Sequence, residues 1–406
     1  MSLNIRPILS SLLHNRTGAV LVALQIALAL AILVNATYIV KQRVDSINRP
    51  TGIDDANMFV VAAAGFTGRY DYAASVRDDL AYLRGLDGVI AATPSNGIPL
   101  SDNGSAGALY TTPEHKDSDL LMALMYEMDE QGVQTLGAHI IAGRDFRREE
   151  IMPPLTPDNQ SRAIPEILVT QALANKLFAD GRAVDKTVYD TLGMPSTIVG
   201  VVSDMIGPFT TVPYQRLVYF VPEQPLMFGF QYLVRTQPGR RDALMRIAAE
   251  HLASSNPDRV INSVRSVELF KQSSFLKERI TAICLIIVTV LLLAIAALGI
   301  FGLATFNVST RTKQIGTRRA VGARKRDIIR YFLVENGLIT STGVVVGCVL
   351  ALAVGYGLSR QYELPRLDLY CLVGGVLVLW LIGQLAAWQP ARRAATVSPS
   401  VATRTA

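Results

Sequence analysis

The chain is poor in residues that build disulfide or metal chemistry. Three cysteines and four histidines occur in 406 residues. Cys284, Cys348 and Cys371 all fall inside apolar stretches, so residues 41–277 have none. That excludes a disulfide framework and a thiolate metal site there. His115, His139 and His251 are scattered without ligand spacing, and ordinary hydrogen bonding accounts for them. Catalytic motifs are missing too. There is no G-x-S-x-G and no H-E-x-x-H. Nor is there a G-x-x-x-x-G-K-[ST], whose backbone and lysine would cradle nucleotide phosphates. The expectation is a chain that is not itself an enzyme, with no metal or cofactor bound directly.

Charge is nearly absent from four long runs, at 17–40, about 280–306, 331–358 and 369–388. Roughly 20 apolar residues span a bilayer core as a helix, and only helices or closed barrels satisfy their backbone there. Buried helices of a soluble protein rarely run so long without charge. The first run exceeds a signal peptide's apolar core and has no clean cleavage site after it, which predicts a retained anchor. The fold class expected is membrane α-helical, with four transmembrane helices placed one plus three. A large α+β domain of about 235 residues, enough to bury its own core, lies between the first and second.

The net charge of +6 is concentrated beside the apolar runs. Arg6 and Arg16 precede the first. Arg311, Lys313, Arg318, Arg319, Arg324, Lys325, Arg326 and Arg330 separate the second from the third. Arg392, Arg393 and Arg404 follow the fourth. Between the third and fourth, Arg360 and Arg366 are balanced by Glu363 and Asp368. Basic flanks stay in the cytoplasm, so both termini and the 311–330 segment are expected inside and residues 41–277 outside. The same pattern argues for membrane orientation and against nucleic-acid binding. Residues 1–16 read as an amphipathic helix on the membrane surface, with Ile5, Ile8, Leu9, Leu12 and Leu13 on one face and Pro7 in its first turn.

The two ends of the 41–277 domain look alike. Residues 57–63, 72–86 and 89–92 read as strand, helix and strand, and 231–236, 240–253 and 260–264 repeat that order. Two such units commonly pair into a split βαβ sandwich, predicted here as a membrane-proximal part. The distal insertion, about 95–225, has loop-like composition at 94–107 and 153–161. Strands are predicted at 167–170 and 197–203, and a helix at 171–178. The insertion reads as a binding and contact domain.

The 311–330 segment carries eight positive charges together with Ile315, Ala320, Val321, Ile328 and Ile329, broken by Gly316 and Gly322. It reads as one or two short helices at the membrane surface that offer a face to a partner; a simple orientation-retaining loop is the plainer alternative. Glu335 lies about one turn into the third apolar run. An ionisable residue there is costly and a functional candidate, able to pair with a cation of the 311–330 segment or to sit hydrated at the interface. Gly343 and Gly347 form a GxxxG for close helix packing. Gln25 can bond across helices or face the bundle interior.

The run Lys313-Gln-Ile-Gly-Thr-Arg-Arg-Ala-Val-Gly-Ala323, followed by Asp327-Ile-Ile-Arg-Tyr-Phe-Leu-Val-Glu335, resembles the signature of FtsX-like permeases of MacB-type (type VII) ABC transporters. So do Gln25 and the tail Gln389-Pro-Ala-Arg-Arg-Ala-Ala-Thr-Val-Ser-Pro399. Ala142-Gly-Arg-Asp-Phe146, Thr170-Gln-Ala-Leu-Ala-Asn-Lys-Leu-Phe178 and Ile198-Val-Gly-Val-Val-Ser-Asp204 look like a MacB-like periplasmic domain. The resemblance covers essentially the whole chain, and its topology agrees.

The resemblance implies a subunit of the bacterial inner membrane whose 41–277 domain is periplasmic and whose 278–406 region is an FtsX-like permease domain. Such permeases pair as homo- or heterodimers and bind cytoplasmic ABC ATPase subunits that use ATP and Mg. ATP-driven closure is carried to the periplasmic domains, a mode termed mechanotransmission, for export or efflux. MacB-like systems also meet a periplasmic adaptor and an outer-membrane channel. Carried over to this chain, Lys313, Gln314, Ile315, Gly316, Arg318, Arg319, Ala320 and Gly322 would dock the ATPase. Glu335 would serve coupling, and Gln25, Gly343 and Gly347 helix packing. The family pattern usually has Glu where this chain has Gln314. A neutral bond is weaker than a charge-assisted one, so the docking surface is adjusted or a non-identical permease keeps the acid. Other uses of the architecture are regulation of a periplasmic partner, as in FtsX-like signalling, and lipoprotein release. An unrelated reading is a membrane-anchored receptor without an ATPase. The external loops show no concentrated charge or aromatic cage that would name a substrate.

Overall fold

The computed structural model describes residues 16–113, 120–154, 162–225, 230–362 and 367–397. The amphipathic helix expected over 1–16, His115, residues 155–161 of the expected loop and Arg404 therefore lie outside the described residues, except for Arg16. The chain divides into two units: Arg49–Lys277 forms one, and the chain on either side forms the other.

In the flanking unit, α1 (Arg16–Ile47) is the first long apolar helix. The inserted unit holds α2 (Tyr72–Gly85), α3 (Gly132–Leu136), α4 (Gln171–Leu177), α5 (Arg241–Ser255) and α6 (Val267–Ser274). The chain then returns as α7 (Leu276–Thr310), α8 (Thr312–Ala320), α9 (Lys325–Tyr362) and α10 (Leu369–Thr396). Helices α1, α7, α9 and α10 are long and apolar enough to cross a membrane, one before the inserted unit and three after it. Even the shortest, α10 with 28 residues, is about 42 Å long at 1.5 Å per residue against a hydrocarbon core of about 30 Å. The helices therefore outrun their apolar stretches: α1 continues past Val40 through Lys41, Gln42 and Arg43. Lys41 pairs with Asp368 at 2.6 Å, and Arg43 approaches the buried Glu278 at 3.7 Å.

Small residues set the packing of this bundle. A Cβ on Gly343 would stand 2.7 Å from the Ala23 carbonyl oxygen and 2.9 Å from the Ile26 side chain, and one on Gly347 would stand 2.9 Å from Leu30 Cβ. The GxxxG of α9 thus receives α1 within the same chain. Ile26, Leu30, Val34, Ile339 and Leu379 fill the shared core.

The inserted unit has two sheets. The first orders its strands β11-β1-β10-β2, all antiparallel neighbours, from β1 (Met58–Gly65), β2 (Val89–Ser95), β10 (Phe230–Thr236) and β11 (Arg259–Ser266). The two βαβ ends interleave: β10 sits between β1 and β2. Helices α2 and α5 cover one face. Val76, Leu80 and Leu83 of one, with Leu244, Ala248 and Leu252 of the other, pack on Phe59, Val61, Tyr232 and Val234. Asp71 caps α2 by accepting from the Ala74 N–H at 3.0 Å. A buried cluster ties this layer together. Arg259 donates to the Asp79 carboxylate and to the Leu252 carbonyl, and Tyr232 Oη donates to Asp79 at 2.6 Å.

The second sheet orders β3-β4-β9-β6-β8-β5, with β7 also on β8. Its strands are β3 (Ser105–Leu109), β4 (Leu121–Met128), β5 (Ile140–Gly143), β6 (Glu166–Thr170), β7 (Thr187–Tyr189), β8 (Pro195–Val202) and β9 (Val218–Pro222). Residues 94–107, expected as loop, contribute to strands at both ends. Pro94 lies in β2 opposite Tyr232, tolerated because β2 is an edge strand and its missing N–H costs no ladder bond. Met58, Val60 and Leu233 of the first sheet share one core with Leu124, Tyr126, Leu168 and Phe220 of the second.

Candidate functional site

The 311–330 segment is the helix α8, a tight turn and the first residues of α9. Helix α8 runs through Gly316, so that glycine does not interrupt it. The helix ends where Ala323 N–H donates to the Arg318 carbonyl and Gly322 N–H to that of Arg319, each at 3.1 Å. Gly322 has φ +100°. This is a Schellman-type ending, and the left-handed conformation at its turn favours glycine. Gly322 thus shapes the turn between α8 and α9. Asp327 Oδ2 then accepts from the Arg324 N–H at 3.1 Å at the start of α9, a favourable place for an anion.

The inner side of α8 is anchored three ways. Ile315 is buried with Ile328 and Phe332 of α9 and Ala391, Ala394 and Ala395 of α10. Arg319 Nη1 donates to the Val397 carbonyl at 2.5 Å. Arg311, just before α8, donates through Nη1 to both carboxylate oxygens of Glu335 at 3.0 and 3.1 Å. Glu335 is 2 % exposed. Around it lie Asn307 of α7 and Asn336 of α9, beside a cavity of about 20 Å³. Asn336 Nδ2 donates to the Gly383 carbonyl of α10 at 3.0 Å, which joins α9 to α10.

The outer side carries Lys313, Gln314, Arg318 and Ala320, all exposed or partly so. Ile315 and Gly316, expected on a docking face, are turned inward and buried. Val321 is 84 % exposed at the turn, and Arg324, Lys325, Arg326 and Arg330 continue the basic surface. Val321 was legible only as one apolar residue among several; its projection depends on the turn. Arg318 also sits over the Tyr331 ring at 5.0 Å, a favourable cation–π placement.

Gln25 belongs to the packing of α1. Its Nε2 donates to the Ile295 carbonyl of α7 at 2.9 Å. Gly299 admits it, since a Cβ there would stand 2.3 Å from Gln25 Oε1. Among the described residues no group of three or more His, Cys, Asp or Glu could hold a metal ion.

Two family models match the chain. The MacB-like periplasmic core domain matches residues 19–252, and the FtsX-like permease C-terminal matches residues 286–399. Among curated proteins, the macrolide export ATP-binding/permease protein MacB of Chromobacterium violaceum is 26 % identical over 280 residues, covering 65 % of this chain and 40 % of that protein. Its namesake in Neisseria meningitidis serogroup A is 26 % identical over 338 residues, covering 79 % of this chain and 48 % of that protein. The chain thus spans less than half the length of these relatives. Among solved structures, the periplasmic region of MacB from Actinobacillus actinomycetemcomitans aligns with 56 % of this chain and 96 % of that one, at 16 % identity and a TM-score of 0.34.

Proposed function

The chain belongs to the MacB-like periplasmic core domain family and carries an FtsX-like permease C-terminal region, and from that premise we propose that it is the permease subunit of an ABC transporter. A separate cytoplasmic ATPase docks on the exposed face of α8 and its turn. ATP and Mg act in that partner. Two permease copies, identical or not, pair around the bilayer, with the arginine-rich helix ends in the cytoplasm and the inserted domain in the periplasm. The direction is export, a reading supported by the relatives named for macrolide export. A periplasmic adaptor and an outer-membrane channel complete the path.

The observation that carries this reading is the anchoring of α8. A push on its outer face meets the Arg311–Glu335 pair on one side and the Ile315 core on the other. Packed interiors are stiff and pass displacement on. The load therefore enters α9 and α10, and α9 lies against α1 through Gly343 and Gly347. Helices α1 and α7 are the two that lead into and out of the inserted domain. This is a route for mechanotransmission that needs no pore through the bundle.

Affinity purification of the solubilised chain from native membranes tests the proposal. The wild type recovers an ABC ATPase, and an Arg318→Glu/Arg319→Glu variant loses it. Because Arg319 also bonds Val397, the Arg318→Glu single variant serves as the cleaner arm. No ATPase with the wild type would sink the reading in favour of a receptor without one.

A further inference from the structure

On the flank of the bundle, α9 and α10 leave a cleft of about 660 Å³. Its wall is apolar along Leu333 and Val334, with Arg326 and Arg330 at one end. Those arginines are one helical turn apart on one face of α9. Neither is buried, and neither pairs with a carboxylate among the described residues. Trp380 and Trp388, the only two tryptophans of the chain, both line the cleft. Deeper in, Gln384 Nε2 is buried with no partner among the described residues. It stands 3.3 Å from where a Gly337 Cβ would be, so the glycine leaves it room.

The cleft is therefore graded: two guanidinium groups, then indole rings and aliphatic side chains, with one unspent amide donor among them. We propose that it binds a single anionic phospholipid from the leaflet at the arginine-rich end of the bundle. The planar guanidinium fork matches phosphate oxygens. Trp388, which lies between Gln384 and the arginine-rich end of the helix, is suited to the headgroup level, and Trp380 lies deeper along the cleft. The ester oxygens below the phosphate are acceptors for Gln384 Nε2, and an acyl chain lies along Leu333 and Val334. Basic pockets between membrane helices recognise anionic head groups on this principle. A zwitterionic lipid would bring its own cation against Arg326 and Arg330 and bind less well. Lipid binding in this cleft requires neither the ATPase nor transport.

Because both tryptophans line the cleft, the intrinsic tryptophan fluorescence of the full chain reports on its occupant. The chain is reconstituted in phosphatidylcholine bilayers containing a small fraction of dibrominated phosphatidylglycerol or, separately, dibrominated phosphatidylcholine. Bromine quenches tryptophan on contact. The wild type should favour the brominated phosphatidylglycerol by on the order of thirtyfold, the effect of two basic residues at a membrane surface. Arg326→Gln/Arg330→Gln should bring the two lipids level, and Arg326→Lys/Arg330→Lys should restore most of the preference. Inorganic phosphate in millimolar excess should not compete. Equal quenching by both lipids in the wild type overturns the proposal, as does full displacement by phosphate. A gain in quenching on deleting residues 2–15 would overturn it too, by making the chain's own N-terminal segment the occupant. The lysine variant also separates loss of charge from loss of fold.

Discussion

A carboxylate that is 2 % exposed inside a helix bundle persists only with a cation held against it. Glu335 has Arg311, which sits just before α8 and so ties that helix to α9. Removing one member strands the other, at a cost of about 3–5 kcal/mol. Glu335→Ala should therefore lower the thermal midpoint of the solubilised chain and, on the proposed function, separate ATP hydrolysis by the proposed ATPase partner from transport. Arg311→Met/Glu335→Leu should regain most of the midpoint, since no charge is left unpaired. Additive losses in the double variant, read by scanning fluorimetry, would show that the pair is not a unit. A second carboxylate, in the inserted domain, responds to pH. Burial first, and the neighbouring Glu223 second, push Glu127 from an ordinary 4.5 to about 7. The folded state then holds this proton at pH values where the unfolded chain has lost it. Stability from this group is complete below about 4.5 and declines as pH rises through about 7. Glu127→Gln should flatten that decline, checked by urea midpoints of the full chain between pH 4.5 and 8. A slope unchanged by the substitution would assign the dependence elsewhere.

At the scale of elements, α9 does the most joining. Its glycines admit α1, its first turns close over Ile315, and Asn336 reaches α10. A valine at 343 would drive its side chain into the Ala23 carbonyl oxygen and Ile26. Gly343→Val should cost about 1–3 kcal/mol by overpacking. A Cβ added to Gly357, in the same helix, would meet nothing within 4 Å. Gly357→Ala should accordingly be neutral or slightly stabilising, so the pair separates helix packing from helix propensity. Equal midpoints for the two variants would remove the packing role from Gly343. Strand β4 shows the opposite case, an element that local preference hides. Leu-Met-Ala-Leu-Met-Tyr-Glu-Met reads as a helix former, yet residues 121–128 pair between β3 and β9. Burial of Leu124, Tyr126 and Met128 on one face and Ala123 on the other outweighs intrinsic propensity.

For the whole molecule, the topology makes a sided prediction. The proposed orientation puts Leu192, 67 % exposed in the inserted domain, and Val321, 84 % exposed at the α8 turn, on opposite sides of the membrane. In cells with a permeabilised outer membrane, a membrane-impermeant maleimide should label Leu192→Cys. Val321→Cys should label only after the inner membrane is opened. The native cysteines, all within α7, α9 and α10, give the background. Labelling of both from outside would reverse the reading of the arginine-rich ends.

By itself, the sequence determined the number and placement of the membrane helices, because length and apolarity decide whether a segment can leave water. It determined the βαβ ends as well, since α2 and α5 show one apolar stripe each. It marked Glu335 as out of place, because a charge in an apolar run needs a reason. Only the tertiary structure decided that Arg311, of eight nearby cations, is its partner, that Ile315 and Gly316 face inward, and that Val321 projects. Those outcomes depend on how α8 turns at Gly322 and on what α10 brings alongside from far along the chain. The strands of the second sheet were mostly hidden for a related reason. The apolar runs of β6 and β8 show in the sequence, whereas β3, β5 and β7 have only 5, 4 and 3 residues, too few to carry an alternation, and their partners are distant in the chain. Local composition records what a segment prefers; which side chains meet is set by packing between elements that the sequence keeps apart.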